Sequence, residues 1–441
     1  MSKFIESLIK YLMKLKKHDF LVSMQSFLGG KFILAVATLA VGVITSRLLT
    51  PEDRGLYVLF FTIGGLLFSF LHIGLAPANI YFLNTKKVEM GVLIGNGLAY
   101  ILSALVLLGI VLVLFIGFDI QNSYQDYYGI EVWFLLWLIV LFNLVDASFL
   151  ALAMGTGDYK FIGRSLTLQA TFLLISTCII PLIGSYLLPS LVLRVLGASV
   201  FFLWFMIMIL RILDYKKIKI CWLTLGDQLR FGSKNWLQNI IGFLNLRGYF
   251  IILAMFSEPN IVGFFSVAWI FVELLRFLPD AIATMLLPEL TKMESNLGQS
   301  MLAAKSMRAL LLIVSLTAAG LYLSLEFSTP LIFGKEYIPA ITIAKILLIG
   351  TCFGVVYQVL TRFFTSQNKQ IYSLASSLVG LFFGLISCLI LTPNYEGEGS
   401  AIAFCIGAFS TGISAIFFFW YYTKIKITTL FNFKFSDFSI T

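Results

Sequence analysis

The sequence is poor in charge and in the residue types that carry enzyme chemistry. Charged residues make up only 12 % of the 441-residue chain, against about 25 % in soluble globular proteins, whereas hydrophobic residues make up 59 %. No water-soluble core could bury so much apolar surface, so the composition predicts an integral membrane protein. It excludes a cytosolic enzyme, a disulfide scaffold and a disordered protein. The net charge of +9 does not indicate nucleic-acid binding, because membrane proteins hold excess Lys and Arg in cytoplasmic loops.

Metal, redox and nucleotide sites are also not indicated. The chain has two histidines, His18 and His72, and none of its five cysteines forms a C-x-x-C pair. No nucleophile–base arrangement and no glycine-rich phosphate loop is present. The sequence therefore predicts a protein that is not an enzyme, with no cofactor and no metal. If it transports a solute against a gradient, a proton or sodium gradient is the expected energy source, because no ATP site is encoded.

Long apolar runs recur along the whole chain. A membrane-spanning helix needs about 20 mostly apolar residues, and about twelve such runs are present. The first follows a basic segment and is too long for a signal peptide, so it is interpreted as a retained span. The runs lie near 20–49, 55–83, 90–117, 130–154, 161–187, 189–213, 234–256, 260–287, 303–327, 337–364, 369–392 and 399–422.

Lysine and arginine alternate between successive loops, which predicts the topology. Most of them fall on the side of the N-terminus, and the opposite loops hold only Arg47, Arg54, Arg194 and Lys335. An even number of spans with both termini in the cytoplasm follows. The predicted domains are a basic cytoplasmic segment (1–19), an N-terminal six-helix bundle (20–213), a cytoplasmic linker (214–233), a C-terminal six-helix bundle (234–422) and a cytoplasmic tail (423–441).

The two halves contain matching segments. Pro51 and Pro259 are 208 positions apart, as are Gly55 and Gly263, and each pair reads Pro-x-x-x-Gly-x-aromatic. A second match, with an offset of 209, relates Thr156, Lys160 and Ile162 to Thr365, Lys369 and Ile371. These matches predict two parallel six-helix repeats, an arrangement that transporters use around a central cavity. The Pro and Gly residues are interpreted either as hairpin-turn residues or as parts of an outer gate.

Three segments resemble a known family. The stretch 46–57 (SRLLTPEDRGLY), the stretch 262–268 (VGFFSVA) and the turn 155–160 (GTGDYK) are similar to signatures of the Wzx-type polysaccharide and O-antigen flippases. The resemblance covers nearly the whole chain. It implies a MATE-like fold within the multidrug, oligosaccharidyl-lipid and polysaccharide exporter superfamily. It also implies flipping of an undecaprenyl-diphosphate-linked oligosaccharide from the inner to the outer leaflet.

Cations within the predicted spans are candidate substrate ligands. Lys31 and Arg247 lie near the middle of the first and seventh spans, which are equivalent in the repeat. A charge there costs at least about 2.5–3.5 kcal/mol, so it normally faces a bundle interior or a wet cavity. Both could bind a diphosphate, or could merely tie helices together. Family members often have Arg-x-Asp where this chain has Arg247-Gly248-Tyr249, so a coupling acid is missing there.

The eighth span adds a further charged stripe. Glu273, Arg276 and Asp280 lie on one helical face, because their spacing is i, i+3 and i+7. One interpretation is an intrahelical ion pair. The other is a cavity stripe in which Arg276 contacts diphosphate or sugar and Glu273 takes a proton.

Other ionisable residues near mid-membrane have less specific interpretations. Asp146 is a candidate ion-coupling residue, or a carboxylate satisfied by Asn143 or Ser148. His72 is interpreted as a core histidine, and Lys345 as a lysine that snorkels to the interface.

The predicted function is a lipid-linked oligosaccharide flippase for O-antigen, capsule or exopolysaccharide synthesis, acting by alternating access in a bacterial cytoplasmic membrane. Its expected partners are the undecaprenyl-linked oligosaccharide, membrane lipids, and the glycan polymerase and chain-length regulator. The alternatives are a MATE-type ion-coupled small-molecule exporter and a scaffold without transport activity. Lys31 argues against an exporter of cationic drugs, which needs acidic residues in its cavity.

Overall fold

The computed structural model describes residues 2–85, 88–117, 129–184, 186–212, 218–293 and 295–425. These residues fold into α-helices joined by short connections, and a single 3₁₀ turn, Lys335–Tyr337, precedes the eleventh helix. The helices are α1 (Ser2–Leu48), α2 (Pro51–Leu71), α3 (Leu75–Asn84), α4 (Met90–Gly117), α5 (Ile130–Thr156), α6 (Tyr159–Ile183), α7 (Leu187–Ile212), α8 (Trp222–Phe256), α9 (Pro259–Lys292), α10 (Asn296–Ile332), α11 (Ala340–Ser366) and α12 (Gln370–Thr423).

The helices confirm the prediction of an all-α, multi-pass membrane protein. Within the described ranges, ten helices are long and apolar enough to cross a bilayer, and α7 adds a shorter apolar stretch, Leu187–Ser199. The longest helix, α12, counts as one of the ten but contains two of the predicted spans. With that helix divided, the structure contains the twelve apolar segments that the sequence predicts.

The helix α12 is a hairpin of two arms. The backbone leaves the helical region at Glu396, whose φ is 44°, shortly after Pro393. Beyond this break the chain turns back, because Thr392 and Ser400 share a hydrogen bond of 2.9 Å between their hydroxyls. Glycines let the two arms approach closely: a Cβ at Gly380 would overlap the Thr411 side chain in the opposite arm.

The predicted span 55–83 is wrong as a single helix. The chain forms α2 and α3 there, separated by His72, Ile73 and Gly74. Gly74 has a φ of 65°, in the left-handed region that residues with a Cβ rarely adopt. Its Cα also meets the backbone of Gly232 so closely that a Cβ would overlap the Gly232 carbonyl. The break therefore depends on a glycine that hydropathy alone does not distinguish.

Internal contacts divide the chain into two compact units. The first contains Met1–Ile44 and Leu67–Leu237, and the second contains Thr45–Leu66 and Gln238–Thr441. The boundaries fall within α1, α2 and α8, so the chain passes from one unit to the other inside helices. Of the predicted linker 214–233, residues from Trp222 onward are helical and belong to α8. Residues 213–217 and the tail beyond residue 425 lie outside the described residues.

A buried amide network holds the start of α8 within the first unit. Gln228 donates to the Asn79 side-chain oxygen at 2.8 Å and accepts from the Asn96 amide at 2.8 Å. Asn96 in turn accepts from the backbone N–H of Cys221 at 2.8 Å. The three amide side chains are fully buried, so each hydrogen bond replaces one that water would otherwise supply.

Candidate functional site

A cavity of about 370 Å³ with several polar lining side chains lies inside the second unit. It is bounded by α8, α9, α11 and the two arms of α12, and its volume falls within the range of about 300–1,000 Å³ typical of ligand pockets. Most of its lining side chains carry hydrogen-bonding groups, although the surrounding helices are apolar. The lining residues are Gln238, Asn239, Gly242, Asn245, Leu246, Tyr249, Arg276, Thr351, Gly354, Tyr357, Gln358, Ser377, Phe404, Ala408 and Thr411.

Arg276 is the charged residue among the described residues that line this cavity. It lies on α9 one turn before Asp280, and both Arg276 and Arg362 interact electrostatically with the Asp280 carboxylate. Asp280 accepts a hydrogen bond of 3.0 Å from the side-chain amide of Gln358. The prediction that Arg276 belongs to a cavity therefore agrees with its position, and the cavity adds amides that the sequence did not indicate.

In the predicted stripe on α9, Glu273 forms an ion pair with a neighbouring helix. It binds Arg247 of α8, with 2.6 Å between Oε1 and Nη2. The Arg247 guanidinium also lies over two aromatic rings, 5.3 Å from the centroid of Phe250 and 5.8 Å from that of Trp269. About one-third of each charged side chain is exposed, so the pair joins α8 to α9 while remaining accessible.

Arg54 was missed as an internal residue, because its position near a helix start placed it in an outer loop. It is 5 % exposed, and its guanidinium donates to the hydroxyls of Thr45 and Ser266. Its charge also interacts with Glu273 and Arg247. The second unit therefore holds two arginines and one glutamate close together. A hydropathy scan cannot predict this group, because its members are far apart in the sequence.

Tyr337 lies in the turn before α11, near the same group of charged residues. Its ring is 1 % exposed, and its hydroxyl donates to the Leu49 carbonyl at 3.3 Å. Burial raises the pKa of the Tyr337 phenol above its usual range, and the nearby Arg54 guanidinium opposes this shift. The phenol therefore stays protonated and can act as a donor at any physiological pH.

The matching Pro-x-x-x-Gly segments contact each other reciprocally. α2 begins at Pro51 and α9 begins at Pro259, as the proline positions predict. A Cβ at Gly55 would overlap the carbonyl oxygen of Pro259, and a Cβ at Gly263 would overlap that of Pro51. Both glycines are needed for this close approach, and the hairpin and gate interpretations of these residues both remain predictions.

Two other predicted site residues lie in the first unit. Lys31 is exposed on α1, with its ammonium 4.7 Å from the centroid of the Phe27 ring. Asp146 lies on α5, where its Oδ1 atom is buried and makes no hydrogen bond within the described part of the chain. The neighbouring Ser148 hydroxyl is likewise buried without a hydrogen bond there, so it does not satisfy Asp146.

Lys345 and His72 have simpler surroundings. Lys345 binds Glu326 of α10 at 2.8 Å and lies 5.2 Å from the centroid of the Tyr322 ring. This pairing, rather than snorkelling alone, accommodates its charge. His72 is buried and stacks on Phe68 with 5.0 Å between ring centroids. Its position is that of a core histidine.

The fold is similar to that of several solved membrane proteins. Across 93 % of the chain it matches a solved structure described as lipid II flippase MurJ in an inward closed conformation, with a TM-score of 0.72, 13 % identity and 94 % of that chain covered. An inward-facing MATE family multidrug resistance transporter of the MOP superfamily matches with a TM-score of 0.66 and 16 % identity, over 90 % of this chain and 95 % of that one. A mutant of the Vibrio cholerae MATE transporter VcmN matches with a TM-score of 0.58 and 13 % identity, over 94 % and 98 % of the two chains. The described helices therefore share the fold of these flippase and MATE transporter structures.

The family follows from the sequence comparison. A family model described as polysaccharide biosynthesis protein matches residues 44–342, and the chain belongs to this family. The comparison with curated proteins found no match. The resemblance inferred from residues 46–57, 155–160 and 262–268 is thus confirmed at the level of family and fold.

Proposed function

We propose that the protein is a flippase that moves an undecaprenyl-diphosphate-linked oligosaccharide from the inner to the outer leaflet of a bacterial cytoplasmic membrane, for O-antigen, capsule or exopolysaccharide synthesis. Membership of the polysaccharide biosynthesis family supports a cargo from that pathway. The MurJ-like and MATE-like fold supports movement of a cargo rather than bond chemistry. The proposed partners are the lipid-linked oligosaccharide, surrounding lipids, and the polymerase and chain-length regulator.

The observation that carries the proposal is the set of polar side chains that line the cavity of the second unit. Polar groups inside a membrane protein are costly, and their presence marks a path or a site for a polar cargo. The cavity presents carboxamides, hydroxyls and the Arg276 guanidinium. A hydroxylated, anionic cargo can use all three kinds of group, because sugars both donate and accept hydrogen bonds and phosphates accept them from arginine.

The two alternative functions fit this cavity less well. An exporter of cationic drugs needs acidic groups that face its cargo, whereas the described residues lining the cavity include an arginine and no carboxylate. A scaffold without transport activity needs no internal polar cavity. Both alternatives predict that the sidedness of lipid-linked glycans is unchanged when the protein is removed.

Three cations are the proposed substrate ligands: Lys31, Arg247 and Arg276. Arg276 is favoured by its place in the cavity. Arg247 is held by Glu273, and an incoming phosphate could compete with that carboxylate for the guanidinium. Lys31 is exposed on α1, where a flexible ammonium can follow a moving phosphate.

Ion coupling is proposed to use Asp146 and Glu273, with protons or sodium as the driving ion. An oxygen of Asp146 is buried without a hydrogen bond among the described residues, so a bound proton or cation would satisfy it. We expect Asp146→Asn to make flipping independent of the imposed ion gradient. The matched control is Asp227→Asn, which changes an exposed carboxylate of the same unit. Equal gradient dependence in both variants would remove Asp146 from the coupling step.

The first experiment follows the sidedness of the lipid-linked oligosaccharide in cells with and without the protein. The glycan is labelled metabolically, and its access to a membrane-impermeant probe is measured. We expect it to accumulate on the cytoplasmic leaflet when the protein is missing. Unchanged sidedness would reject the flippase proposal and favour the exporter or the scaffold.

The second experiment separates the cavity from general effects of losing a membrane cation. We expect Arg276→Ala to slow flipping by about tenfold or more at unchanged membrane abundance, in line with the loss of one charge-assisted hydrogen bond. The control variant is Lys345→Ala, which removes a cation of α11 that does not line the cavity. If the two variants lose activity equally, the cavity is not the cargo site.

A further inference from the structure

The first unit has a groove of its own, of about 250 Å³, between α1 and α6. The two helices approach closely at a pair of glycines. A Cβ at Gly30 would overlap the carbonyl oxygen of Gly163, and a Cβ at Gly163 would overlap that of Ser26. The groove lies beside this contact and shares no lining residue with the cavity of the second unit. It is lined by Ser26, Gly163, Arg164, Thr167, Leu168 and Thr171.

One face of α6 carries most of the polar groups of this groove. Arg164, Thr167 and Thr171 are spaced i, i+3 and i+7, so they lie on the same face of the helix. Lys160 extends that face by one turn toward the helix start, and both cations are exposed. Since α6 begins at Tyr159, Arg164 lies only about 7–8 Å along the helix. Cations this close to the end of a membrane span lie at the depth of the lipid headgroups.

Arg164 is available to a ligand. Within the described ranges, its guanidinium forms neither an ion pair nor a hydrogen bond. The hydroxyls of Thr167 and Thr171 donate to carbonyls of their own helix, at 3.0 Å and 2.9 Å, so their hydrogens are already used. The donors that the groove offers are therefore the Arg164 guanidinium on α6 and the Ser26 hydroxyl on α1. Phosphate oxygens only accept hydrogen bonds, and an arginine can bind two of them at once.

Apolar side chains continue both walls of the groove deeper into the span. On α1, Ile33 follows Ser26 by seven residues and is 43 % exposed. On α6, Ile175 follows Thr171 by four residues and is 49 % exposed. These spacings keep each isoleucine on the face of the residue that it follows. The order along the groove is thus cation, hydroxyl and apolar surface, which matches the headgroup and acyl chains of a lipid, whereas a free phosphate would use only the first part.

We propose that this groove binds an anionic phospholipid, with the Arg164 guanidinium and the Ser26 hydroxyl donating to its phosphate and with an acyl chain beside Ile33 and Ile175. Basic pockets between membrane helices commonly bind anionic headgroups in this way. The predicted topology places the start of α6 at the cytoplasmic surface, so the lipid comes from the cytoplasmic leaflet. The inference goes beyond the proposed function, because this lipid is a bound membrane component and not the cargo.

The binding test uses the full-length protein in detergent micelles and native mass spectrometry, which counts bound lipids and gives their affinities. The probes are dioleoyl-phosphatidylglycerol, which is anionic, and dioleoyl-phosphatidylcholine, which has the same chains and no net charge. We expect phosphatidylglycerol to bind about fivefold more tightly or better, and an equal concentration of inorganic phosphate not to displace it. Equal affinity for the two lipids would overturn the proposal, and so would displacement by phosphate.

The position of the site is tested with Arg164→Gln, and Arg230→Gln is the matched control. The control removes an exposed cation of α8 that does not line the groove. We expect the affinity for phosphatidylglycerol to fall about fivefold or more in Arg164→Gln and to stay unchanged in Arg230→Gln. Arg164→Lys should retain most of the affinity, because it keeps the charge. Equal losses in the two glutamine variants would refute the assignment.

A second variant tests the groove without altering any charge. Leu168→Trp places a larger side chain among the lining residues, so it should also weaken phosphatidylglycerol binding. Unchanged binding in this variant would show that the lipid lies elsewhere. This measurement, and the comparison of the two lipids on the unaltered protein, decide the proposal even if Arg164→Gln fails to fold.

A third probe separates the phospholipid from the phosphates of the proposed cargo. Undecaprenyl diphosphate is titrated against the unaltered protein and Arg164→Gln. We expect equal affinities, because the proposed cargo ligands Lys31, Arg247 and Arg276 are intact in the variant. If the variant loses undecaprenyl diphosphate but keeps phosphatidylglycerol, the groove belongs to the cargo and the phospholipid assignment is wrong.

Discussion

The reciprocal contact between α2 and α9 gives a quantitative prediction for Gly55→Ala. The new Cβ would overlap the carbonyl oxygen of Pro259, which is backbone and cannot rotate away. Overpacking of this kind costs about 1–3 kcal/mol, and a rigid backbone partner places it near the upper end. Alanine is a better helix former than glycine by about 0.5–1 kcal/mol, which offsets part of the cost. The expected net loss in the free energy of unfolding is about 2 kcal/mol.

The matching substitution, Gly263→Ala, should cost the same, because its Cβ would overlap the carbonyl oxygen of Pro51. The double variant is more informative than either single one. The first methyl group forces α2 and α9 apart. The second methyl group then requires little further displacement of the two helices. We therefore expect the double variant to lose about 2–3 kcal/mol rather than the sum, which is a coupling of about 1 kcal/mol or more.

The assay is unfolding of the purified protein in mixed micelles by titration with a denaturing detergent. Gly320→Ala is the control, since no atom within 4 Å would meet its new Cβ. It should be neutral or stabilise the protein by about 0.5–1 kcal/mol through helix propensity. The reasoning is refuted if Gly55→Ala is as stable as Gly320→Ala, or if the two single losses simply add in the double variant.

Three further substitutions test other contacts by the same unfolding titration. Gln228→Leu should lose about 2–4 kcal/mol, because it leaves two buried amide side chains without their partner; a loss under about 1 kcal/mol would show that the network contributes little. Arg54→Ala should lower the free energy of unfolding by about 2–3 kcal/mol, because it removes hydrogen bonds to two hydroxyls and the packing of the arginine side chain. A variant as stable as the wild type would contradict the internal position of Arg54. Glu273→Gln should lose under about 1 kcal/mol, because its ion pair is one-third exposed, while a large loss would mean that the pair is less solvated than its exposure indicates.

Local signals predicted the helices well. Pro51 and Pro259 each begin a helix, because a proline at the first turn lacks an N–H that would have no partner there. The two predicted spans 369–392 and 399–422 correspond to the two arms of α12, whose break follows Pro393. In each case, the residues that determine the structure are neighbours in the sequence.

The site was predictable only in part, because its contacts join distant positions. Arg276 lines the cavity, which is where one of the two interpretations of its spacing on α9 put it, and its role as a substrate ligand stays a prediction. Gln358 could not be recognised, since its partner Asp280 lies 78 positions away. Arg54 was misplaced because its burial depends on Ser266, 212 positions away. A hydropathy scan averages over residues that are neighbours in the sequence, so it cannot detect contacts between distant positions.

The contact between the two Pro-x-x-x-Gly segments has the geometry of a two-fold symmetric dimer interface. Each segment presents the same proline carbonyl to the same glycine of the other, which is the isologous contact that two identical subunits make about a two-fold axis. A single ancestral half-chain could have formed this contact with a second copy of itself before the halves were joined. Any substitution at one glycine then faces a partner with the same steric demand, so the two positions are expected to change together during evolution.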